Sequence, residues 1–282
     1  MSRTFRAQAL EDAFTRDGYV VLPFLRPADI EQLRAVFERL YPARRADFES
    51  TALNQHDDPE HLAAHGEIAP WYKLRLDEFF VDHAVVKGFF TCKRGGLPTE
   101  NLSEVVLHQD LSWADEPEVR GAIVWCPLVD VDLANGCLEV VPGSHRFVDA
   151  RRGVGMPWAF RDVEPDLRAA LRPLALRAGE MVVYDGGLIH CSARNTTPWD
   201  RPVVGLGLAH QGHRLIHLHS PDGRQLDTYE VDPEFYRHHP HDEPPARWVR
   251  SKASEPLIDH RVSEAEISEL LRRTSPPSLV GP

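Results

Sequence analysis

A histidine and an aspartate lie two residues apart at the end of a short apolar run, where residues 105–111 read VVLHQDL. If this run is a β-strand, the side chains of His108 and Asp110 emerge on the same face. An imidazole and a carboxylate held side by side can bind a divalent metal. Because such a pair is common by chance, its meaning depends on a third ligand elsewhere in the chain.

Two later segments carry the remaining chemistry. Residues 135–145 read NGCLEVVPGSH, which predicts a turn, a strand and a second turn, and residues 187–192 read GLIHCS with His190 inside. Arg201 follows His190 by eleven residues and begins an apolar strand. In this order of motifs the chain resembles, over roughly residues 17–210, the phytanoyl-CoA dioxygenase family of iron(II)- and 2-oxoglutarate-dependent oxygenases.

The resemblance implies that His108, Asp110 and His190 are the catalytic metal ligands. Two imidazoles and one carboxylate occupy one face of an octahedral Fe(II) and leave three positions open, which suit a bidentate 2-oxo acid and O2. The implied cofactors are therefore Fe(II), 2-oxoglutarate as co-substrate, and O2. Related halogenases have a small residue at the position of Asp110, so an aspartate there favours oxygenation over halogenation.

Four further residues are implied to contact the co-substrate. Arg201 would pair in a planar, bidentate way with the distal carboxylate of 2-oxoglutarate, and Ser192 would donate a hydrogen bond to the same carboxylate. Trp125 falls where the family places an indole beside the co-substrate. Lys93 falls where relatives often carry a lysine that points toward the pocket, although a surface lysine at a strand end fits the sequence equally well.

Three nearby polar residues are interpreted differently. Arg194 shares the strand parity of His190 and is a rival anchor, but the sequence NTTP at 195–198 suggests that the strand has ended, so Arg201 is favoured. His145 belongs to a segment that is a structural turn in the resembling family, and we leave it out of the metal shell. Gln109 points to the opposite face from its neighbours and is expected to be structural.

The elements that must position these residues are mostly short strands. Apolar runs broken by turn residues favour strands at 105–111, 121–129, 136–141, 180–184, 188–192 and 203–210. Helical spacing predicts helices at 7–16, from Pro27 to before Pro42, at 74–86, 165–171 and 263–273, with strands at 19–22 and 88–93. Ser263 and Glu266 form a predicted capping box.

The predicted fold is mainly β with flanking helices: a cupin-like double-stranded β-helix, or jelly roll. We expect a single oxygenase domain over 1–282, with a mainly helical buttress at 1–90, the jelly-roll core at 91–210, and a C-terminal arm with a final helix at 211–282. The arm is expected to be extended and to pack on the core through Tyr229, Phe235, Tyr236 and Trp248. Histidines cluster in three places, at 56, 61 and 65, at 213, 217 and 219, and at 238, 239 and 241. The first cluster is expected on a solvated helix face and the other two in an exposed tail.

Composition excludes several classes of function. A net charge of −11 argues against nucleic-acid or anionic-membrane partners, and no apolar run is long enough for a signal peptide or a membrane span. The four cysteines form no Cys-X-X-Cys pair and read as core residues. We expect a cytoplasmic monomer or homodimer that binds a small molecule.

The predicted activity is hydroxylation of an unactivated C–H bond in a small organic metabolite, with release of succinate and CO2. No acyl-CoA signature is visible. Candidates for the substrate wall are Trp71, Tyr72, Trp113, Trp158 and the arm after His210. Two alternatives stay open at this point: a cupin-type metal-dependent isomerase or hydrolase, and a non-catalytic jelly-roll binding protein.

Overall fold

The structure is a computed structural model that describes residues 3–43, 45–50, 59–98, 100–114, 121–147, 151–239 and 243–274. The side chains at 61, 71 and 74 are outside the described set. The described helices are α1 (Gln8–Asp17), α2 (Pro27–Leu40), α3 (Pro59–Phe79), α4 (Glu164–Ala169), α5 (Pro233–His238) and α6 (Glu264–Thr274). The described strands are β1 (Tyr19–Pro23), β2 (Phe48–Ser50), β3 (His83–Lys93), β4 (Val105–His108), β5 (Ala122–Pro127), β6 (Leu138–Val140), β7 (Arg172–Leu174), β8 (Glu180–Asp185), β9 (His190–Ser192), β10 (Arg201–His210), β11 (Leu215–His219), β12 (Gln225–Val231) and β13 (Val249–Pro256).

Two antiparallel sheets form the core of the fold. The larger sheet has the strand order β1-β8-β5-β10-β3-β2, and the smaller one has the order β4-β9-β6-β7. Side chains from both sheets meet between them, including Trp125 and Val182 from the larger sheet and Leu138 and Val140 from the smaller one. This face-to-face packing is the predicted jelly roll, and the prediction of a mainly β fold is confirmed.

The larger sheet is buried on both faces. On the face of this sheet that points away from the smaller sheet, Val183 of β8 packs with Phe90 of β3 and Leu206 of β10. Helices α1, α2 and α3 cover that face through buried side chains such as Phe14 and Phe37. Because both faces are buried, β5 and β10 read as nearly continuous apolar runs rather than as alternating ones.

One predicted helix is wrong. The sequence predicts a helix over 74–86, but α3 already begins at Pro59 and ends at Phe79, and residues 83–86 belong to β3. The ten residues of β10 pair along this strand from Lys93 to His83. The ladder satisfies the backbone of 83–86, and β-branched Val85 and Val86 suit it better than they suit a helix. The expected boundary at residue 90 therefore cuts through β3.

The C-terminal segment packs on the core as expected, but the expectation that it is an extended arm is wrong. Residues from 215 onward form a third antiparallel sheet, β11-β12-β13. Its side chains Leu215, Tyr229 and Phe235 are buried in one cluster with Val86 and Ala209 of the larger sheet. Burial of these apolar side chains drives the packing, and pairing of the three strands satisfies their backbone groups.

Several local expectations agree with the structure. The Ser263 backbone N–H donates to Glu266 Oε2 at 2.8 Å, and the Glu266 N–H donates to Ser263 Oγ at 3.3 Å, so the capping box is confirmed. All four cysteines are free and buried. Within the described ranges, no helix combines the length and apolar character needed to cross a bilayer.

Candidate metal centre

Two histidines lie opposite each other on adjacent strands of the smaller sheet. His108 on β4 pairs directly with His190 on β9, and their ring centroids lie 4.2 Å apart. Opposite residues in an antiparallel pair project to the same face of the sheet. The strand register alone therefore brings together two imidazoles that are 82 residues apart in the sequence.

Asp110 completes the group just beyond the end of β4. Its Oδ1 lies 3.6 Å from His108 Nε2 and 4.0 Å from His190 Nε2, and the three possible ligand atoms all lie within 4.8 Å of one another. The backbone fixes its position, because its N–H donates to the Gly186 carbonyl at 2.9 Å and its carbonyl accepts from Arg152 Nε at 2.7 Å.

Each imidazole is held in the orientation that a metal ligand needs. Nδ1 of His108 lies 2.8 Å from the Val106 carbonyl, and Nδ1 of His190 lies 2.8 Å from the Leu188 carbonyl. A carbonyl oxygen only accepts, so the ring hydrogen belongs on Nδ1 in both residues. Each Nε2 then presents its lone pair toward Asp110. Such second hydrogen bonds commonly fix the tautomer of histidine ligands.

The electrostatics favour an ionised carboxylate between the two rings. Burial acts to lower the pKa of His108, but the neighbouring Asp110 outweighs it and raises this pKa above its usual value. Burial acts to raise the pKa of Asp110, but the neighbouring His190 and His108 outweigh it and lower this pKa to about 2. Burial, together with the charge of His108, lowers the pKa of His190 to about 4. Asp110 Oδ2 is buried and has no hydrogen-bond partner. Two imidazoles and one ionised carboxylate with an unused oxygen fit a ferrous ion.

Arg201 is a buried cation beside the same cavity. It is only 2% exposed, and its Nε and Nη1 have no hydrogen-bond partner. Its Cζ lies 5.4 Å from the ring centroid of Trp125, which is itself buried. Burial lowers the pKa of Arg201 only to about 10, so the group stays charged at neutral pH. A buried charge with free donors calls for an anion, and the distal carboxylate of 2-oxoglutarate fits this requirement.

Ser192 and Lys93 have partners within the protein. The Ser192 hydroxyl lines the cavity but donates to the Gly136 carbonyl at 3.0 Å, so it has no second hydrogen for a carboxylate. Lys93 is buried, and its Nζ donates to the carbonyls of Ser192, at 2.8 Å, and Ala193. These two hydrogen bonds hold Lys93 at the end of β9. Lys93 is not among the described residues that line the cavity, and its contact with the co-substrate stays a prediction.

The side chains of the three residues set aside in the sequence are not part of the metal group and contact other residues. Arg194 is exposed and pairs with Glu104 at 3.2 Å. His145 is buried, and its Nε2 lies 3.2 Å from the Thr15 carbonyl. Gln109 donates through Nε2 to the Gly187 carbonyl at 2.6 Å, which is a structural contact between two loops.

A cavity of about 300 Å³ lies between the sheets and opens onto these residues. The three metal-ligand candidates, Arg201, Ser192 and Trp125 all line it. Most of its remaining wall is apolar or aromatic, which is the usual character of a small-molecule site.

Tyr184, Lys87 and His217 also line this cavity; the sequence did not single out the first two, and it placed His217 in an exposed tail. Tyr184 on β8 lies with its ring centroid 4.8 Å from that of His190. Burial raises the pKa of Tyr184 well above its usual value, and the nearby Asp110 carboxylate adds to this shift. Lys87 on β3 and His217 on β11 are the other two. Lys87 could have been noticed as a charged residue inside an otherwise apolar stretch. It was missed because the predicted helix ended at residue 86 and the predicted strand began at residue 88, whereas β3 spans His83–Lys93.

The aromatic residues that were predicted to line the substrate pocket lie in different parts of the fold. Trp113 lines the cavity, and Trp158 lines a neighbouring groove that shares His108 with it. Tyr72 is instead a core residue packed against Phe24, with ring centroids 5.0 Å apart. The side chain of Trp71 is outside the described set.

The sequence analysis placed the histidines after residue 210 in an exposed tail, and this prediction is wrong for three of them. His217, His219 and His239 are buried, since the C-terminal sheet and α5 pack against the core. His213 is exposed, His238 is half-buried, and His241 lies outside the described residues. In the first cluster His65 is half-buried, while residue 56 and the side chain of residue 61 lie outside the described set. Among the described residues, the group His108, Asp110 and His190 is the one that could hold a metal.

Comparison with known proteins finds a matching family model and several relatives. The family model described as "Phytanoyl-CoA dioxygenase (PhyH)" matches residues 14–203. The chain is 34% identical over 129 residues to phytanoyl-CoA dioxygenase 1 of Oryza sativa subsp. japonica, covering 44% of this chain and 43% of that protein. It is 35% identical over 136 residues to phytanoyl-CoA dioxygenase domain-containing protein 1 of Bos taurus, covering 45% and 46%. The alignments thus span less than half the length of these relatives.

Solved structures share the fold. The carbocyclase SnoK from nogalamycin biosynthesis, described as non-heme and alpha ketoglutarate dependent, aligns with a TM-score of 0.56 and 21% identity, covering 86% of this chain and 95% of its own. The epimerase SnoN, solved with Fe3+, alpha ketoglutarate and nogalamycin RO, aligns with a TM-score of 0.56 and 20% identity, covering 90% and 94%. At these identities the likeness establishes the fold.

Proposed function

The chain belongs to the phytanoyl-CoA dioxygenase family of Fe(II)- and 2-oxoglutarate-dependent oxygenases, and on that premise we propose that it hydroxylates an unactivated C–H bond of a small organic metabolite. The overall reaction joins substrate, O2 and 2-oxoglutarate to give the alcohol, succinate and CO2. One oxygen atom enters the alcohol and the other enters succinate, so atoms balance without a further reductant.

The observation that carries this proposal is the joint placement of two groups in one cavity. His108, Asp110 and His190 supply a three-ligand set, and Arg201 supplies a buried cation with free donors. A metal hydrolase or isomerase of the cupin type needs the first group but has no use for the second. A binding protein would have no reason to keep a buried, unpartnered guanidinium, because such a group costs free energy.

The residues of this chain divide the work between them. His108, Asp110 and His190 would hold Fe(II), which when bound supplies the oxidising power for attack on a C–H bond. Arg201 would bind and orient the distal carboxylate of 2-oxoglutarate, and Trp125 holds the guanidinium in place from one side. The apolar walls exclude water from the cavity and so protect the reaction from competing oxidation.

The outcome of the reaction is inferred from Asp110. An aspartate at this position fills the place that chloride takes in the related halogenases, so we propose oxygenation. SnoK and SnoN are described as a carbocyclase and an epimerase, which shows that the same cofactors serve other outcomes on this fold. Mass analysis of the product after reaction under 18O2 distinguishes hydroxylation, which adds one labelled oxygen atom, from cyclisation or epimerisation, which add none.

The test is anaerobic addition of Fe(II) and then 2-oxoglutarate to the purified chain. We expect a weak visible absorption band, which requires both the metal and the co-substrate. His108→Ala should remove the band, and His213→Ala, which alters an exposed histidine, is the matched control. The same band in His108→Ala as in the native chain would sink the proposal.

A second pair of variants separates this reading from its rivals. Arg201→Met should abolish the visible band that appears on addition of 2-oxoglutarate. Arg194→Met, at an exposed arginine paired with Glu104, should leave this band unchanged. A cupin-type isomerase or hydrolase predicts that neither variant changes a 2-oxoglutarate response, because there is none. A non-catalytic binding protein predicts that no succinate forms in air under any condition.

A further inference from the structure

One wall of the cavity lies well away from the residue proposed to hold the co-substrate. Trp113 lines the cavity and packs over Gly207 of β10, where a Cβ atom would overlap its indole. Gly207 is six residues from Arg201 along the same strand, which corresponds to roughly 20 Å. The wall at Trp113 is therefore too far from Arg201 to share the distal carboxylate of 2-oxoglutarate.

The same wall lies at the level of the metal group. Gly207 pairs with Ile123 of β5, and Ile123 pairs with Tyr184 of β8. The ring centroid of Tyr184 lies 4.8 Å from that of His190. Two strand spacings, about 10 Å, therefore separate Gly207 from the strand position beside the metal group. A small molecule that packs on Trp113 can thus reach the metal group.

Two polar side chains meet at this wall. The segment that follows the metal group runs antiparallel to β11, and the Ile216 N–H donates to the Trp113 carbonyl at 3.1 Å. Ser112 and His217 are the next residues along the two segments, and each is 2% exposed and lines the cavity. Opposite residues of an antiparallel pair project to the same face. This register therefore brings the Ser112 hydroxyl and the His217 ring to the same part of the cavity.

His217 offers an acceptor. Burial, assisted by the charges of His219 and His239, lowers the pKa of His217 to about 4, whereas a backbone hydrogen bond with Glu243 acts to raise it. The ring is therefore neutral at neutral pH. A backbone bond that favours the protonated ring must be to an accepting carbonyl, and it belongs to Nδ1, since the buried Nε2 has no partner among the described residues. The hydrogen is then on Nδ1, and Nε2 has a lone pair that requires an O–H or N–H donor on a ligand.

Ser112 offers a donor. Its N–H donates to the Arg152 carbonyl at 2.9 Å, and its Oγ accepts the Arg152 N–H at 3.1 Å, so two hydrogen bonds fix the position of this serine. A hydroxyl group has one hydrogen to donate. Within the described part of the chain no acceptor takes that hydrogen. Ser112 can therefore donate to a ligand beside the nitrogen that can only accept.

A donor and an acceptor side by side select the polar group of the ligand. A hydroxyl group satisfies both, because its oxygen accepts one hydrogen bond while its hydrogen donates another. A carbonyl or ether oxygen would leave His217 Nε2 without a donor, and a protonated amine would leave the Ser112 hydrogen without an acceptor. Since a buried polar group without a partner costs free energy, the pair of side chains favours an alcohol.

The neighbouring part of the wall is suited to an apolar molecule. The rings of Trp113 and Tyr236 meet edge to face with centroids 5.8 Å apart, and both line the cavity together with Phe89. The Tyr236 hydroxyl donates to the Ile216 carbonyl within the protein. These aromatic rings therefore present mainly carbon to a ligand, and an apolar body that packs on them is removed from water.

We propose that Ser112 and His217 form the substrate-recognition site, and that the substrate is an alcohol with a small apolar body. The hydroxyl group of the substrate donates to His217 Nε2 and accepts from Ser112 Oγ, and the body packs on Phe89 and Trp113. Hydroxylation of a C–H bond of this body converts the alcohol, O2 and 2-oxoglutarate into a diol, succinate and CO2. The inference rests on the proposed function for the meaning of substrate, but the binding site itself does not.

The test uses the full chain with Fe(II) and 2-oxoglutarate under anaerobic conditions, so that binding is measured without turnover. The probes are 2-phenylethanol, 3-phenylpropan-1-ol and 4-phenylbutan-1-ol, each compared with the hydrocarbon that has a methyl group in place of the hydroxyl. We expect at least one alcohol to bind and its hydrocarbon to bind at least about tenfold more weakly, because the hydrocarbon leaves buried polar groups unpaired. Calorimetry measures the affinities.

Two substitutions assign the two contacts separately. His217→Phe removes the acceptor and Ser112→Ala removes the donor, so each should lower the ratio of alcohol to hydrocarbon affinity by about fivefold or more. His217→Gln, which keeps an acceptor, should retain part of the ratio. His213→Phe and Ser268→Ala, at exposed positions, are the matched controls and should keep the native ratio. An unfolding temperature close to that of the native chain shows that each variant is folded.

The outcomes separate this inference from the proposed function. Binding of an alcohol with the expected discrimination but without any visible band would overturn the proposed function and leave the recognition site standing. A normal band with no binding of any alcohol, or with the native ratio of alcohol to hydrocarbon affinity in both His217→Phe and Ser112→Ala, would overturn the recognition site alone.

Discussion

The guanidinium of Arg201 lies against the face of Trp125, with Cζ 5.4 Å from the ring centroid, while its Nε and Nη1 have no hydrogen-bond partner. The indole holds the group from one side and leaves its donors for a ligand. A buried cation in this state is poised for an anion and is costly without one.

Substitution of Arg201 should therefore separate affinity from stability. We expect Arg201→Met to weaken 2-oxoglutarate binding by at least about 100-fold and Arg201→Lys, which keeps the charge but loses the fork, by about 10-fold. Without ligand, Arg201→Met should unfold at a temperature no lower than the native chain, because a buried unpartnered charge has been removed. Anaerobic calorimetry and thermal denaturation measure the two effects, and native-like affinity in Arg201→Met would contradict the assignment.

The metal group gives a second prediction. Asp110→Asn keeps the shape of the side chain but removes its negative charge, so we expect the affinity for Fe(II) to fall by more than about 100-fold. Co(II), whose absorption reports its ligands, can be titrated in place of Fe(II). Asp222→Asn, in an exposed loop, is the control and should bind as the native chain does. Equal Co(II) affinity in both variants would exclude Asp110 as a ligand.

The position of the Trp113 indole in the cavity wall depends on a glycine, Gly207, which pairs with Lys87. A Cβ atom on Gly207 would lie 2.1 Å from Cη2 of Trp113, so the indole occupies the space that any other residue would need. We expect Gly207→Ala to lower the free energy of unfolding by about 1–3 kcal/mol, as overpacking does. Urea denaturation measures this effect.

A second glycine supplies the matched control. Gly66 lies in α3, and a Cβ there would meet nothing within 4 Å. Gly66→Ala should therefore stabilise the chain by about 0.5–1 kcal/mol, because alanine loses less backbone entropy in a helix. A destabilised Gly66→Ala together with an unaffected Gly207→Ala would show that this account of the wall is wrong.

Acid should destabilise the protein through His65. Its Nδ1 accepts the Gly88 N–H at 2.9 Å, and burial, helped by the charge of Arg237, lowers its pKa from 6.5 to about 4. Between these two values the unfolded chain binds a proton that the folded chain does not, so stability is complete above about pH 6.5 and is lost as pH falls toward about 4.

The measurement is the melting temperature at about pH 7 and about pH 5. His65→Gln keeps an acceptor for the Gly88 N–H but does not titrate, so its melting temperature should fall less over this interval. His83 and His217 also have their pKa lowered to about 4, and part of the acid sensitivity will therefore persist in the variant. Identical falls in the two proteins would rule out the contribution of His65.

The sequence by itself determined the residues that lie close to one another along the chain or that repeat with the period of a strand. Strand alternation predicts that His108 and Asp110 share a face; β4 ends at His108, and Asp110 lies beside it just past that end. The ligand types, the arginine at the start of β10 and the short strands between turns also come from local patterns. The strand pattern predicted the jelly roll, and the order of motifs carried the family resemblance that implies the metal ligands and the arginine for 2-oxoglutarate.

The tertiary structure alone decided which distant residues meet. Residues 83–86 have no local preference strong enough to choose strand over helix, and pairing with β10 made the choice. His217 looked like part of an exposed tail until the C-terminal sheet packed on the segment after Asp110. Lys87 became a cavity residue through the register of four strands. Register and burial depend on contacts between residues far apart in the sequence, and a local pattern contains no record of those contacts.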